Sequence, residues 1–406
     1  MSSPRRRDTL PAIKIDKLIP AGAALLQGFL SLSRRMRLGL LLALVVCGAI
    51  GLTVYFLPTP TPTPEEETNA ALADGKGYLF CFWNVENFFD DVEDRRPTEP
   101  DKEYDAWFAA DNGKVFQQKL KNLTETLLKM NDGHGPDILA MAEVEDLRAA
   151  EKLRDSLNAR IREPQLRYKN LAFKDPNGGR HIATAVLTRL DLVANKTTLH
   201  GRRQRILEAH ITTNGHDLVV LATHWTSRVS SRENKEGEGR DLYARNIRNR
   251  FDTLYKQNPK IDFLVCGDFN DTPEDESVEK YLKAIGDVQK VRAAGDDPFL
   301  LNLLAGRGQE VLADPSTQPK LGTHNYRRNW YIFDQIVVSP GLLDNEGWSC
   351  DPASVRIVNN LTAVKGGTRR GTPHDFGSKH DRESLEERGY SDHFPVTVRL
   401  KVAAGK

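Results

Sequence analysis

The sequence predicts an α+β fold in which β-sheets pack on each other and helices cover their outer faces. Short apolar runs typical of buried strands recur along residues 77–402, and only a few stretches there carry the apolar repeat of a helix. At 406 residues the chain is also longer than most single domains need. We therefore expect one large, sheet-rich domain that carries an appendage.

Strands are predicted wherever a short run of apolar residues is bounded by polar ones. The first run, residues 78–83, reads YLFCFW and contains no charged residue, which is typical of a buried strand. The other predicted strands are, in chain order, residues 138–141, 183–187, 218–222, 262–266, 332–338 and 395–400.

Two helices are predicted between these strands. Residues 114–130 place Phe116, Leu120, Leu123 and Leu127 on one stripe, which is the pattern of a helix with one buried face. Residues 237–255 form the second predicted helix. With so few helices, we expect them to lie outside the sheets.

The appendage contains a candidate membrane span. An uncharged run of twenty residues begins at Leu38 and ends at Leu57, and as a helix it would be about 30 Å long, the thickness of a bilayer core. Arg34, Arg35 and Arg37 precede the run, so we expect the N-terminus in the cytoplasm and the main domain on the other side. A signal peptide would start nearer the N-terminus, and a core helix is rarely flanked by an arginine cluster.

A stiff linker follows the candidate span. Residues 58–64 alternate proline and threonine, and proline fixes φ and removes hydrogen-bond donors, so this segment should be extended. Three glutamates at 65–67 should keep it solvated. The predicted organisation is a basic cytoplasmic tail at 1–37, a transmembrane helix at 38–57, a Pro/Thr and acidic linker at 58–76, and one globular domain at 77–402.

Charge is distributed unevenly along the chain. Of the 57 Lys and Arg and 56 Asp and Glu residues, eight and two fall within residues 1–57. The remainder, 49 basic and 54 acidic residues, gives the rest of the chain a net charge of −5. A mildly acidic domain has no overall attraction for nucleic acid, so binding a polyanion would require a local basic patch.

The four cysteines do not indicate a zinc site or a disulfide scaffold. Cys47, Cys81, Cys266 and Cys350 lack zinc-ligand spacing. Free thiols with packing roles are the favoured interpretation. A single disulfide between Cys81 and Cys266 is left open.

Polar side chains recur directly beside the predicted strands. Strand ends that meet at one rim of a sheet commonly form a site. Carboxylates, amides and imidazoles without a cysteine cluster suit Mg²⁺, Mn²⁺ or Ca²⁺. Each residue alone could equally be a turn, a cap or a packing histidine. The residues are Asn84, Glu86, Glu143, His224, Asp268, Asn270, Asp392 and His393.

A set of short motifs resembles the endonuclease/exonuclease/phosphatase superfamily. The motifs are WNVENF at 83–88, EVE at 143–145, THW at 223–225, GDFNDTP at 267–273, DQI at 334–336 and SDHFP at 391–395. They occur in the family's order and extend over residues 78–400. The resemblance implies a deoxyribonuclease-like fold, which is a four-layer α/β sandwich of two packed mixed β-sheets flanked by helices.

The resemblance also implies how the site binds metal and phosphate. Glu143 corresponds to the main metal ligand, and Asn84, Glu86 and Asp392 would complete or border the metal site. The implied cofactor is Mg²⁺, with Mn²⁺ or Ca²⁺ as alternatives. Arg205 loosely matches an arginine that binds phosphate in some members, although an ordinary surface arginine is nearly as good an interpretation.

Catalytic roles are implied in the same way. Asp268 would orient or deprotonate the attacking water, with Asn270 beside it. His393 would contact the scissile phosphate and take part in proton transfer, and Asp334 would fix its tautomer. His224 would hydrogen-bond the phosphate or assist the leaving group.

The sequence departs from many family members at Ala142, where they carry glutamine directly before the metal-ligand glutamate. Residues 267–273 and 331–335 resemble a bacterial nuclease-type branch most. We therefore expect a membrane-anchored, metal-dependent phosphodiesterase acting on nucleic acid. Hydrolysis of a phospholipid or a small phosphate ester is the first alternative, and an inactive anchored binding module is the second. No obligate protein partner is inferred.

One further segment has two interpretations. Residues 324–328 (HNYRR) mix aromatic and basic side chains just before the DQI motif. This composition suits a nucleic-acid-binding rim but also an ordinary exposed loop.

Overall fold

The structure is a computed structural model that describes residues 77–404 except residues 95, 177–179, 181, 202–204, 229–238, 294 and 315–321. The predicted cytoplasmic tail, transmembrane helix and linker, residues 1–76, lie outside the described residues. Within the described ranges, no helix combines the length and the apolar character needed to cross a bilayer.

The strands and helices of the described residues are as follows. The strands are β1 Gly77–Phe88, β2 Ile138–Val144, β3 Asn170–Phe173, β4 Ala183–Thr188, β5 Asp191–Leu192, β6 Thr198–His200, β7 Ile206–Thr213, β8 His216–His224, β9 Phe263–Asp268, β10 Ala284–Ile285, β11 Leu300–Asn302, β12 His324–Tyr326, β13 Asn329–Tyr331, β14 Asp334–Val338, β15 Trp348–Ile357 and β16 Val396–Val402. The α-helices are α1 Glu99–Leu127, α2 Leu147–Arg160, α3 Arg240–Gln257, α4 Val288–Arg292 and α5 Asn359–Thr362.

All of these strands except β12 and β13 build two mixed sheets, and β12 and β13 form a separate two-stranded sheet. The first sheet has the spatial order β15–β16–β1–β2–β4–β3, and the second has the order β10–β11–β14–β9–β8–β7–β5, with β6 also paired to β7. At the centre of the first sheet β1 and β2 run parallel, and β16 runs antiparallel to β1. At the centre of the second sheet β8 and β9 run parallel, and β14 runs antiparallel to β9.

Side chains alternate across the first sheet, and this alternation defines the layers. Phe80 and Phe82 on β1 pack in a core shared with Val220 and Leu264 of the second sheet. Cys81 points to the opposite face, into a core lined by α1 and α2 residues. The outer face of the second sheet packs on α3. The order is therefore helices, sheet, sheet, helix, which confirms the predicted sandwich of two mixed sheets flanked by helices.

Helix α1 consists of two helical parts separated by a break. The first part, which was not predicted, starts at Glu99, because Thr98 accepts a hydrogen bond from the Asp101 amide as an N-cap and proline occupies an early position. The second part starts after the break at Lys114, as predicted. Helical geometry is interrupted over Ala110–Gly113, and Gly113 has a φ of +71°. A Cβ at Gly113 would lie 2.6 Å from Asp91 Cβ, so the break also requires the close approach that glycine permits.

Several further boundaries differ from prediction. The strand predicted at 332–338 begins at Asp334, and α2, β7 and β15 were not predicted. The buried face of α2 contains two alanines and two leucines, Ala149, Ala150, Leu153 and Leu157, so its apolar stripe is weak. The described cysteines, Cys81, Cys266 and Cys350, are free and buried, which resolves the disulfide alternative in favour of free thiols.

Candidate active site

The predicted site residues gather because of strand direction. Strands β1, β2, β8 and β9 all end at one edge of the packed sheets, and β14 and β16, which run the opposite way, begin there. The motif residues sit at these ends or directly beyond them. The fold thus brings together segments separated by up to 310 residues, as in the hydrogen bond from the Trp83 side chain (Nε1) to the His393 backbone carbonyl.

At the centre of this edge, a carboxylate lies between two imidazoles. Asp268 is the cross-strand neighbour of both His224 and Asp334. Its Oδ2 atom is 3.6 Å from His224 Nε2 and 3.7 Å from His393 Nε2. On the far side of the second ring, His393 Nδ1 lies 2.7 Å from Asp334 Oδ2. Because a carboxylate can only accept, this bond places a proton on Nδ1.

Glu143 lies next to this group on a β-bulge. The bulge interrupts the pairing of β2 with both neighbours and gives Glu143 a φ of +63°. Its Oε2 accepts from the Asn87 amide at 2.8 Å, and its Oε1 is 3.3 Å from Asn84 Nδ2 and 3.7 Å from His224 Nε2. A positive φ is sterically unfavourable for glutamate, and backbone strain of this kind is typical of functional sites.

Asn84 and Asn270 hold the Asp268 carboxylate in place. Asn84 Nδ2 donates to Asp268 Oδ2 at 3.1 Å, and the Asn270 backbone amide donates to Asp268 Oδ1 at 2.9 Å. The Asn270 side chain donates to the Trp225 carbonyl at 3.2 Å. With both oxygens engaged, the orientation of the Asp268 carboxylate is fixed.

Asp392 and Glu86 occupy different settings. The Asp392 side chain is 43% exposed, with Oδ1 3.9 Å from His393 Nε2. The Glu86 carboxylate is buried, and its two oxygens accept from the backbone amides of Phe376 and Gly377 at 2.7 and 2.9 Å. Glu86 therefore anchors the chain around residue 376 to β1, and its place in the metal site stays a prediction.

Arg205 lies beside His224, because the Arg205 carbonyl accepts a hydrogen bond from the His224 backbone amide at 3.3 Å.

The pKa values of the two histidines are shifted by their surroundings. Burial, with the nearby Arg205 charge, lowers the pKa of His224 to about 4, so this ring is neutral at pH 7. Burial also opposes charge on His393, but Asp334, Asp392 and Asp268 outweigh it and raise its pKa well above the usual range. The pKa values of the two histidines are therefore shifted in opposite directions, which is a common basis for separate acid–base roles.

Sequence reasoning missed Lys119, a fully buried lysine on α1. Its Nζ donates to the Tyr390 carbonyl at 2.7 Å, lies 3.8 Å from Glu86 Oε2, and sits 4.7 Å from the centre of the Phe376 ring. The sequence did contain one indication that Lys119 is buried, because this residue falls on the apolar stripe of the predicted helix between Phe116 and Leu123. A lysine on a buried stripe normally has a carboxylate partner.

The donor set fits a divalent cation. Among the described residues, two overlapping groups bring possible ligand atoms within 4.8 Å of one another, namely Asp268, Asp334 and His393, and His324, Asp392 and His393. Glu143 belongs to neither group and lies 3.7 Å from His224 Nε2. Close carboxylates repel one another unless a cation compensates their charge, and oxygen-rich groups of this kind suit hard metal ions.

A separate acidic group consists of Asp90, Glu145 and Asp146. Arginines already pair with two of its carboxylates, because Arg148 lies 2.6 Å from Asp90 and Arg96 lies 2.5 Å from Glu145.

This fold and this site define a metal-dependent hydrolase of phosphate esters. Residues 79–402 match the sequence profile of the Endonuclease/Exonuclease/phosphatase family. Since the match covers most of the chain, the protein belongs to that family, and the prediction of a hydrolase acting on phosphoester bonds is confirmed. No curated protein sequence matches the chain.

Solved structures with a similar fold come from proteins with different printed activities. Sphingomyelinase C from Streptomyces griseocarneus is 16% identical, with coverage of 80% of this chain and 99% of that one and a TM-score of 0.46. A Bacteroides thetaiotaomicron mannosyl-6-phosphatase is 15% identical, with 80% and 99% coverage and a TM-score of 0.44. D. rerio TDP2 with a single-strand DNA product is 13% identical, with 80% and 99% coverage and a TM-score of 0.42. Similarities this low carry no information on the substrate of this chain.

Proposed function

We propose that this protein is a divalent-metal-dependent phosphodiesterase of nucleic acid, held at a membrane by residues 38–57 with its catalytic domain, residues 77–402, outside the cytoplasm. The observation that carries the proposal is the Asp268 carboxylate, fixed between two imidazoles and next to Glu143. That arrangement supplies a base, a proton donor and a metal ligand within one site.

Glu143 is the proposed main ligand of Mg²⁺, with Asn84 and Asp392 completing or bordering the site. Mn²⁺ and Ca²⁺ are alternatives that the same oxygen ligands would accept. When bound, the cation supplies charge neutralisation on the phosphoryl oxygens. Glu86 is proposed to border the metal site, and burial, together with the nearby Asp392 charge, raises its pKa to about 8.

Asp268 is the proposed base for the attacking water. Its Oδ2 points towards both imidazoles, and the Asn84 and Asn270 hydrogen bonds stop it from rotating away. Deprotonating or orienting the water requires a carboxylate held at one angle, and a general base of this kind typically contributes about 10²–10⁴-fold in rate.

His393 is the proposed proton donor to the phosphate. Asp334 holds its Nδ1 proton and directs Nε2 towards Asp268 and Asp392, the side from which a substrate would enter. Because nearby carboxylates keep the ring protonated, Nε2–H can donate to a phosphoryl or leaving oxygen. His224 is neutral at pH 7 and is proposed to hydrogen-bond the phosphate through Nε2, with Arg205 beside it.

A second candidate function is hydrolysis of a phospholipid headgroup by the same residues. The apolar run of residues 38–57 favours it, because a membrane tether would bring the site close to lipid. Nucleic acid is preferred because residues 267–273 and 331–335 resemble a nuclease-type branch.

A substrate panel distinguishes these functions. Purified full-length protein is assayed with Mg²⁺ and with EDTA against single-stranded and duplex DNA, RNA, sphingomyelin and nucleoside monophosphates. The proposal expects EDTA-sensitive cleavage of at least one nucleic acid at a rate above those for sphingomyelin and monophosphates. Cleavage of sphingomyelin without any cleavage of nucleic acid would replace it with the lipid alternative.

A further inference from the structure

A two-stranded hairpin stands beside the catalytic histidine. Strands β12 and β13 pair antiparallel, with His324 opposite Tyr331 and Tyr326 opposite Asn329. The hairpin is tied to the site, because His324 forms a β-bridge with His393 and its Nδ1 contacts the Asp392 carbonyl at 2.9 Å. A ligand bound to this hairpin would therefore be held at a fixed distance from the proposed proton donor.

Aromatic rings run outward from His393 along one face of the hairpin. The His324 ring lies 4.3 Å from the His393 ring, at an interplanar angle of 23°. The Tyr326 ring follows at 6.4 Å from His324 and 16°. Tyr326 ends the series and is 41% exposed. The series leads from the site to a partly exposed aromatic ring at the edge of the hairpin.

The tip of the hairpin carries two arginines in an unfavourable conformation. Arg327 and Arg328 have φ values of +50° and +68°, in a two-residue turn that normally takes Asn-Gly or another glycine-containing pair. Both side chains are exposed, and the Arg327 guanidinium lies 5.0 Å from the Tyr326 ring centre. A sequence that conflicts with its own turn type usually serves function and not stability.

Resting on the proposed function, we infer that this hairpin binds a nucleic-acid strand, with a base stacked on Tyr326 and phosphates contacted by Arg327 and Arg328. Aromatic faces joined to basic side chains are how proteins hold single strands without reading sequence. The hairpin also supplies the local basic patch that a domain with a net negative charge needs in order to bind a polyanion.

The hairpin fits a membrane surface less well. Bilayer insertion requires an apolar tip, whereas the tip here is Arg327 and Arg328. The other aromatic of β13, Trp330, turns inward and packs 6.3 Å from the Phe394 ring. Tyr326 is thus a single exposed ring among charges, which matches base stacking.

The test measures binding separately from cleavage. Anisotropy of a fluorescent single-stranded oligonucleotide is titrated with full-length protein in EDTA, so no hydrolysis is needed. Tyr326→Ala should raise Kd roughly 5- to 150-fold, and Tyr326→Phe, which keeps the ring, should stay close to wild type. The double variant Arg327→Asn/Arg328→Gly should raise Kd and lower the salt slope of binding by about 1.4, the release expected for two single-strand phosphates.

Three controls make the result specific. The Arg327→Asn/Arg328→Gly variant should have the wild-type melting temperature or a higher one, so weaker binding by that variant would not result from misfolding. Arg162→Ala removes an exposed arginine beyond the far end of α2 and should leave Kd unchanged. All variants should cleave bis(p-nitrophenyl) phosphate at the wild-type rate, because none of the substituted residues is proposed to act on the metal, the water or the scissile phosphate.

Wild-type affinity and salt slope in the Asn-Gly variant would overturn the inference. So would wild-type oligonucleotide affinity in Tyr326→Ala together with slower cleavage of sphingomyelin in phosphatidylcholine–sphingomyelin vesicles, which would indicate a membrane contact. Failure of the proposed function would give a different result. Wild type would then bind the oligonucleotide through the hairpin but would cleave no nucleic acid in the presence of Mg²⁺.

Discussion

Replacing Asp334 with asparagine tests whether this carboxylate acts through His393. Asp334 is fully buried, and its Oδ2 lies 2.7 Å from His393 Nδ1. Asparagine has the same shape and can still accept the Nδ1–H proton, so the ring should keep its orientation. What the variant loses is the negative charge beside the imidazolium.

The size of the effect follows from that contact. A hydrogen bond to a charged group contributes about 1.5–3 kcal/mol and a neutral one about 0.5–1.5 kcal/mol, a difference of about 1–2 kcal/mol. We expect kcat to fall by roughly 5- to 30-fold. Removing the ring itself, in His393→Gln, should cost about 10²–10⁴-fold. In the described part of the chain Asp334 Oδ1 has no hydrogen-bond partner, so the new amide N–H would be unpaired and should lower stability by about 1–3 kcal/mol.

The assay is a double-mutant cycle on a small phosphodiester. Initial rates are measured for wild type, Asp334→Asn, His393→Gln and the double variant, with thermal melts to confirm that each is folded. If Asp334 works only through His393, the double variant should be no slower than His393→Gln. Independent, multiplying losses would refute the reasoning.

Three further predictions concern the rest of the chain. Deleting residues 1–76 should leave a soluble domain with wild-type kcat on a small phosphodiester, because the motifs begin at Asn84; a deletion that does not fold would place the boundary elsewhere. Protease added to intact spheroplasts should remove the catalytic domain and spare residues 1–37, and the reverse pattern would contradict the proposed orientation. Burial lowers the pKa of His210, but the Asp217 and Glu208 carboxylates outweigh it and raise that pKa in the folded state. This stabilisation is complete below the ordinary pKa of about 6.5 and is lost as pH rises through the folded value, so the melting temperature should fall towards alkaline pH more in wild type than in His210→Gln. Parallel melting curves would contradict that assignment.

Much of the site could be predicted because its residues flank strands. Asp268 and His224 directly end apolar runs, and His393 directly precedes one. The polar residues that bound an apolar run are visible in the sequence even where the exact strand end is not, and known family order then indicates which of them meet. Packed sheets with helices outside were predictable from the repeated short apolar strands, in which residues such as Phe80 and Cys81 face two different buried layers, whereas the four-layer arrangement followed only from the family resemblance.

Long-range contacts between residues that belong to no recognisable sequence motif could not be predicted from the sequence. Glu86 accepts from amides near residue 376, 290 positions away, and nothing local to either segment indicates that pairing. The positive φ of Glu143 arises from the bulge in β2, which depends on strand register on both sides. Helix α2 was missed because alanine gives a weaker apolar signal than leucine.

The central claim is that Glu143 holds a catalytic cation and Asp268 acts on water. The most direct measurement is the rate of phosphodiester cleavage by wild type, Glu143→Gln and Asp268→Asn across a Mg²⁺ titration. Both variants should lose at least about 10²-fold in kcat while remaining folded. High Mg²⁺ should partly restore Glu143→Gln by mass action and should not restore Asp268→Asn. Wild-type cleavage by either variant, on a substrate that wild type cleaves only with metal, would contradict the account.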